Sequence, residues 1–282
     1  DDYSTLQSAD LVIEAVFEDE DLKSKVTMLA EAHISESTIF ATNTSTLPIT
    51  ELSKASKNRK NFIGIHFFSP VNKMNLVEII RGKETKDIAV AKALDFVKQI
   101  NKTPIVVNDA RFFYANRCII PYLNEGVRMA GEGISLALIE NAAKQLGMPV
   151  GPLQLIDETS IDLANQIAKA TKIALGTKYI EDASDEILAF MVNEQRLGRK
   201  SNAGFYNYDE KGKRIDLWNG LSNNWPIRDQ QPNVEEVKMR LALIQALEAV
   251  RAFEEGVLTD IREGDVGAVL GWGCLPWAGG PF

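Results

Sequence analysis

Over the first hundred residues, short β-branched runs alternate with segments whose apolar residues recur every three or four positions. The runs at 11–16, 38–42, 62–66, 76–80 and 104–107 predict strands. Leu22, Val26, Leu29 and Ala30 predict an amphipathic helix over 22–33, and Val90, Ala93, Leu94, Val97 and Ile100 another over 86–101. Strand–helix alternation implies an α/β sheet with parallel members. The short connection between 62–66 and 76–80 predicts a hairpin-like pair at one side of that sheet.

Near residue 110 the period changes, and 113–130, 135–146, 152–175 and 183–196 read as helices. Glycines and asparagines over 198–213 predict a loop and short hairpin, and the Trp/Asn/Pro-rich stretch ending at 233 a linker. A last long helix is expected from 234 to about 255. Residues 123–157 and 246–282 share one pattern: helix, Glu-Gly-Ile/Val, a second helix ending in Leu-Gly, then a Pro/Gly turn. Copies so far apart suit duplication of a helical domain rather than a solenoid. The fold class expected is therefore α/β followed by a duplicated all-α part.

Composition narrows the function classes. The 282 residues carry a formal charge of −8, which argues against a nucleic-acid surface. No apolar run reaches the length of a membrane span. Two isolated cysteines, Cys118 and Cys274, make neither a disulfide framework nor a metal cluster. They read as small buried hydrophobes and suit a reducing compartment; the location expected is cytoplasmic, an organelle matrix being the alternative.

Candidate chemistry lies at strand ends. His66 closes one apolar run and Glu78 sits inside another. A carboxylate in an apolar strand needs a partner. An imidazole nitrogen supplies one, leaving the other nitrogen as a base. The alternative is a Glu78 facing solvent on a half-exposed edge strand. "ATNTSTL" puts Asn43, Thr44 and Ser45 at the end of a strand, where polar groups serve either a ligand or a helix N-cap. Asn116 stands at the start of the first long helix, as a site residue or an ordinary first-turn polar group.

Five motifs stand in order: "ATNTSTL", "GIHFFSPVNKMNLVEII", "ANRCIIPYLNEG", "LGMPVGPLQLID" and "GFYNY". Together they resemble the L-3-hydroxyacyl-CoA dehydrogenase family over essentially the whole chain. The duplicated helical part is most like the dehydrogenase part of the multifunctional fatty-acid β-oxidation complex α-subunit. The resemblance implies a truncated Rossmann-type NAD-binding domain over 1–109, a first helical domain over 110–207, a linker over 208–233 and a second, shortened helical copy over 234–282. It implies NAD as cofactor, an acyl-CoA substrate, and a homodimer or the thiolase subunit of a β-oxidation complex as partner. It further implies His66 as general base, Glu78 as its orienting acid, and Ser45 and Asn116 as donors to the reacting oxygens. Glu18, Lys23, Asn43 and Ser45 are implied at the nicotinamide end of the cofactor.

Two departures from the family pattern stand out. There is no Gly-x-Gly-x-x-Gly, the family's fingerprint being expected upstream of Asp1. The chain alone is therefore expected to bind NAD weakly and turn over little. Phe112 stands where the family has glycine. Two other readings remain open: a dehydrogenase of another β-hydroxy acid, and a non-catalytic helical CoA-binding or dimerisation fragment.

Overall fold

Strands β1 Leu11–Glu14, β2 Ile39–Thr42, β3 Phe62–Phe67, β4 Leu76–Arg81 and β5 Thr103–Asn108 form one sheet in sequence order in the computed structural model, which describes residues 2–282. β1–β2, β2–β3 and β4–β5 pair in parallel, and β3–β4 antiparallel. The expected hairpin-like pair is thus β3–β4, but inside the sheet, because β5 adds beyond β4 and takes the edge. β3 and β4 are each buried at five successive positions, as suits strands covered on two faces.

Ten α-helices are assigned among the described residues. The first three are α1 Glu20–Glu31, α2 Ile49–Leu52 and α3 Asp87–Gln99, followed by α4 Ala115–Gly131 and α5 Leu136–Gln145. Then come α6 Pro152–Thr159, α7 Ile161–Leu175, α8 Ala183–Asn193, α9 Val234–Glu254 and α10 Ile261–Trp272. Among the described residues no helix is long and apolar enough to cross a membrane.

The chain divides into two compact units, Asp1–Cys118 with Ala246–Phe282, and Ile119–Gln245. In the first, strand alternation sorts the sheet residues onto two faces. Ile39, Ala41, Ile63, Ile65, Val77 and Ile79 meet the Ala89, Val90, Ala93 and Val97 stripe of α3. Phe40, Phe62, Leu76, Ile80, Ile105 and Val107 form the other face, with Ile49 and Leu52 of α2 and with Ala249, Ala252, Val257 and Leu258 from the C-terminal segment.

That last contact departs from the expected division at 109/110 and 234. The C-terminal segment packs on the sheet instead of forming a separate second helical domain. α10 lies against β4 and β5, with Gly267 and Gly271 at the contact. A Cβ on Gly267 would stand 2.7 Å from Ile105 Cδ1, and one on Gly271 2.7 Å from Leu76 Cδ2. Hydrogen bonds reinforce the cover: Val106 N donates to Glu263 Oε2 (3.0 Å), Asn108 N to Val257 O (2.8 Å) and Tyr114 Oη to Gly264 O (3.0 Å). The β5 edge is thereby occupied by the chain's own C-terminal segment.

In the second unit the helix expected over 152–175 breaks at Ser160, whose φ of +95° cannot continue a right-handed helix. Ile161 N donates instead to Leu197 O (3.1 Å). The segment expected as a linker is an ordered strap. β6 Tyr206–Tyr208 pairs with β7 Arg214–Leu217, Leu221 is buried, and Trp218 and Trp225 both pack on Phe190. Its tryptophans anchor it by apolar area, which the turn-rich composition concealed.

Candidate active site

The parallel strands bring the sequence-predicted residues to one end of the sheet in the first unit. His66 and Glu78 are register partners on β3 and β4. Antiparallel partners point to the same face, so the side chains meet: His66 Nδ1 lies 3.0 Å from Glu78 Oε2. Both are buried, Glu78 completely. The other carboxylate oxygen, Oε1, accepts from Tyr114 N (2.8 Å) and Ala115 N (3.2 Å) at the start of α4. Three donors and a helix N-terminus offset the cost of burying the charge. With Glu78 ionised, the network assigns the proton on His66 to Nδ1. Nε2 has no hydrogen-bond partner among the described residues. Phe68 and Phe113 flank the ring, at 4.7 and 6.2 Å between centroids.

The turn that presents Tyr114 and Ala115 to Glu78 is strained. Phe112 and Phe113 both have left-handed backbones, with φ of +67° and +52°. A side chain there costs about 1–2 kcal/mol per residue. Phe112 is the position where the motif resemblance leads one to expect glycine. The same turn is held by Asp109, whose carboxylate accepts from Ile49 N (2.9 Å) and Thr50 N (2.7 Å) of α2.

Asn43 ties the ends of β2 and β3 together, its Oδ1 accepting from Phe67 N at 2.9 Å. Asn116 Nδ2 donates to the Ser45 carbonyl (2.7 Å). Ser45 N (2.9 Å) and Ser45 Oγ (3.3 Å) both donate to Glu18 Oε1. Thr44 Oγ1, Thr46 N and Thr46 Oγ1 converge on the same oxygen at 2.7, 2.9 and 3.0 Å. Burial raises the Glu18 carboxyl, but these donors and the Lys23 charge outweigh it and hold the group below its usual range. Oε1 is saturated, while among the described residues Oε2 faces only Lys23 Nζ at 3.5 Å, and the Glu18 side chain stays 32% exposed.

Sequence reasoning missed the residue beneath Lys23. Glu14, buried at the end of β1, takes Lys23 Nζ on both carboxylate oxygens at 3.1 Å and also accepts from Thr42 Oγ1 and Val16 N. Lys23 Nζ donates as well to Val16 O (3.2 Å). This buried pair fixes the ammonium that faces Glu18. The signal was available: Glu14 is an acid inside an apolar run, as Glu78 is.

Family models divide the chain near residue 110. The family "3-hydroxyacyl-CoA dehydrogenase, NAD binding domain" matches residues 1–110, and "3-hydroxyacyl-CoA dehydrogenase, C-terminal domain" matches residues 113–208. Among solved structures, (S)-3-hydroxybutyryl-CoA dehydrogenase PaaH1 from Ralstonia eutropha is 35% identical, with 74% of each chain covered and a TM-score of 0.69. FadB2 of M. tuberculosis is 32% identical, also over 74% of each chain, with a TM-score of 0.67. The dehydrogenase part of multifunctional enzyme 1 from C. elegans is 30% identical, covering 96% of this chain and 62% of that one, with a TM-score of 0.68.

Proposed function

Since the chain belongs to the 3-hydroxyacyl-CoA dehydrogenase family, we propose that it oxidises an L-3-hydroxyacyl-CoA to the 3-ketoacyl-CoA with His66 as general base. The family is one of NAD-dependent oxidoreductases acting on a CH–OH group. NAD supplies the hydride acceptor when bound. The residues present fit its nicotinamide-riboside half. Glu18 Oε2 retains lone pairs for a ribose hydroxyl while Oε1 is fixed by the turn after β2. No glycine-rich turn joins β1 or β2 to its following helix among the described residues, so no group here is assigned to the diphosphate.

The observation that carries this reading is the buried His66–Glu78 hydrogen bond with Nε2 left unpartnered. In it, Nε2 takes the proton of the substrate's 3-hydroxyl as hydride leaves C3. Nδ1–H stays hydrogen-bonded to Glu78, whose carboxylate stabilises the imidazolium that forms. Ser45 Oγ and the second N–H of Asn116 Nδ2 donate to the reacting oxygens as charge shifts. Lys23 keeps Glu18 oriented, and Asn43 keeps His66 at a fixed height through Phe67.

The likeness over 96% of the chain to the dehydrogenase part of a multifunctional enzyme supports a place within a longer, multifunctional protein. A role in fatty-acid β-oxidation in the cytoplasm, with a second copy or a thiolase subunit as partner, rests on the motif resemblance alone. The 35% identity to a 3-hydroxybutyryl-CoA dehydrogenase supports a second reading, preference for a short acyl chain. NADH formation from short- and long-chain L-3-hydroxyacyl-CoA tests both. Activity that rises with chain length supports the first, and activity confined to the shortest substrate the second. No NADH from either, under conditions where NADH binding to the protein is shown by titration, opposes the proposed function.

A further inference from the structure

The second unit holds a cationic cleft that the catalytic reading does not use. Tyr208 and Arg214 are register partners across the β6–β7 hairpin. Its tip is shaped by Gly212, with φ of +71°, and by Asp209, whose Oδ1 accepts from Lys211 N (2.9 Å) and Lys213 N (2.8 Å). Arg199 joins the tip from the preceding turn, its Nε donating to Gly212 O at 3.1 Å. The hairpin is fastened beside α6 by Asp157, which accepts from Phe205 N, Tyr206 N and Tyr208 Oη at 2.8, 2.9 and 3.0 Å. Between hairpin and helix lies a cavity of ≈ 390 Å³ lined by Arg199, Lys211, Lys213, Arg214, Tyr208 and Glu158, among others.

We propose that this cleft binds a phosphate-bearing small molecule. Four cations against one carboxylate line it, in a chain whose net charge is −8. None of the four forms an ion pair with a carboxylate among the described residues. Glu158 is itself engaged by Gln154 Nε2 at 2.8 Å. The decisive atom is Arg214 Nη1, the one buried side-chain polar atom without a hydrogen-bond partner among the described residues. Leaving a buried guanidinium nitrogen unpaired is costly. The Arg214 guanidinium stacks over the Tyr206 ring, 4.6 Å from its centroid, which fixes its plane. A planar fork held against an aromatic face, with a second arginine and two lysines around the same space, suits the several oxygens of a phosphate group. These residues all belong to Ile119–Gln245, whereas the catalytic candidates belong to the other unit.

Two sources share this chemistry: the phosphorylated end of coenzyme A, and a free nucleotide. Calorimetric titration of the intact protein with adenosine 3′,5′-bisphosphate and with ADP separates them. Tighter binding of the 3′,5′-bisphosphate assigns the cleft to coenzyme A; equal binding assigns it to nucleotides in general. Arg214→Gln should weaken binding about tenfold, the loss expected for one charge-assisted hydrogen bond. Lys211→Ala/Lys213→Ala alters only the hairpin tip and should weaken it by a similar factor without loss of fold. Absence of saturable binding, or binding unchanged in the double variant, overturns the proposal. Because the readout is binding alone, either result leaves the role of His66 untouched.

Discussion

At the scale of single residues, two acids stand in apolar strands, and each is made tolerable by named donors. Glu78 has His66 and two backbone amides; Glu14 has Lys23, Thr42 and Val16 N. Glu78→Gln offers one acceptor oxygen where two are needed. It should cost about 1–3 kcal/mol of stability and lower kcat by roughly 10²-fold or more, measured by urea unfolding and by NADH formation. A variant with normal kcat removes Glu78 from the mechanism. Strain at Phe112 gives a sharper residue test. Phe112→Ala and Phe112→Gly both lose the ring, but only alanine keeps a Cβ at φ +67°. The glycine variant should be the more stable of the two by about 1–2 kcal/mol. Equal stabilities would show that the turn relaxes. The motif resemblance leads one to expect glycine at this position, and the left-handed backbone there is one that glycine adopts without strain.

At the scale of elements, periodicity marked the strands and most helices within a few residues, because each has a clear buried face. It failed where tertiary contact decides. Ser160 carries no breaker signature, yet the chain turns there. The strap over 208–233 looks like a linker by composition, yet Trp218 and Trp225 pack it onto Phe190. The repeat predicted a second helix here, but not that Gly267 and Gly271 are the positions that let α10 approach β5 and β4. Gly267→Ala would gain about 1 kcal/mol of helix propensity on an exposed site. Here the new methyl meets Ile105 Cδ1 at 2.7 Å, so a net loss of about 1–3 kcal/mol is expected in urea unfolding. A stabilised variant would mean that the Ile105 side chain swings aside to admit the methyl. In the other unit, burial pushes the Asp157 carboxyl up to about 6, against its hydrogen bonds. Its folded value exceeds the unfolded value of about 3.9, so the folded chain holds the proton more tightly. Its contribution to stability therefore grows as pH falls through 6 and is lost as pH rises above it. Wild type should gain on Asp157→Asn between pH 7 and pH 5. A difference that is flat or of opposite sign contradicts the burial argument.

At the scale of the whole molecule, the sheet unit is discontinuous in sequence: residues from both ends of the chain build it. The repeat between 123–157 and 246–282 was legible in the sequence, but sequence likeness does not say what a segment packs against. Ala249, Ala252, Val257 and Leu258 supply an apolar surface that the sheet takes up. Arg117 ties this segment to the start of α4, with Glu255 at 2.6 Å and Glu248 at 3.4 Å. Burial likewise settles the two thiols: desolvation pushes Cys274 up to about 12 and Cys118 well above its ordinary value, so both stay protonated and inert. The candidate site was more legible than the fold around it. Its residues cluster at strand ends in short motifs, whereas the cover of the β5 edge depends on a helix some 150 positions away, Glu263 being 157 residues from Val106. The most direct test is the steady-state rate of NADH formation from an L-3-hydroxyacyl-CoA by the intact protein and its His66→Gln variant, compared at equal folded concentration. A fall of roughly 10²-fold or more in kcat is expected for loss of a general base. A variant within a few-fold of wild type would contradict the assignment of His66 and, with it, the proposed chemistry.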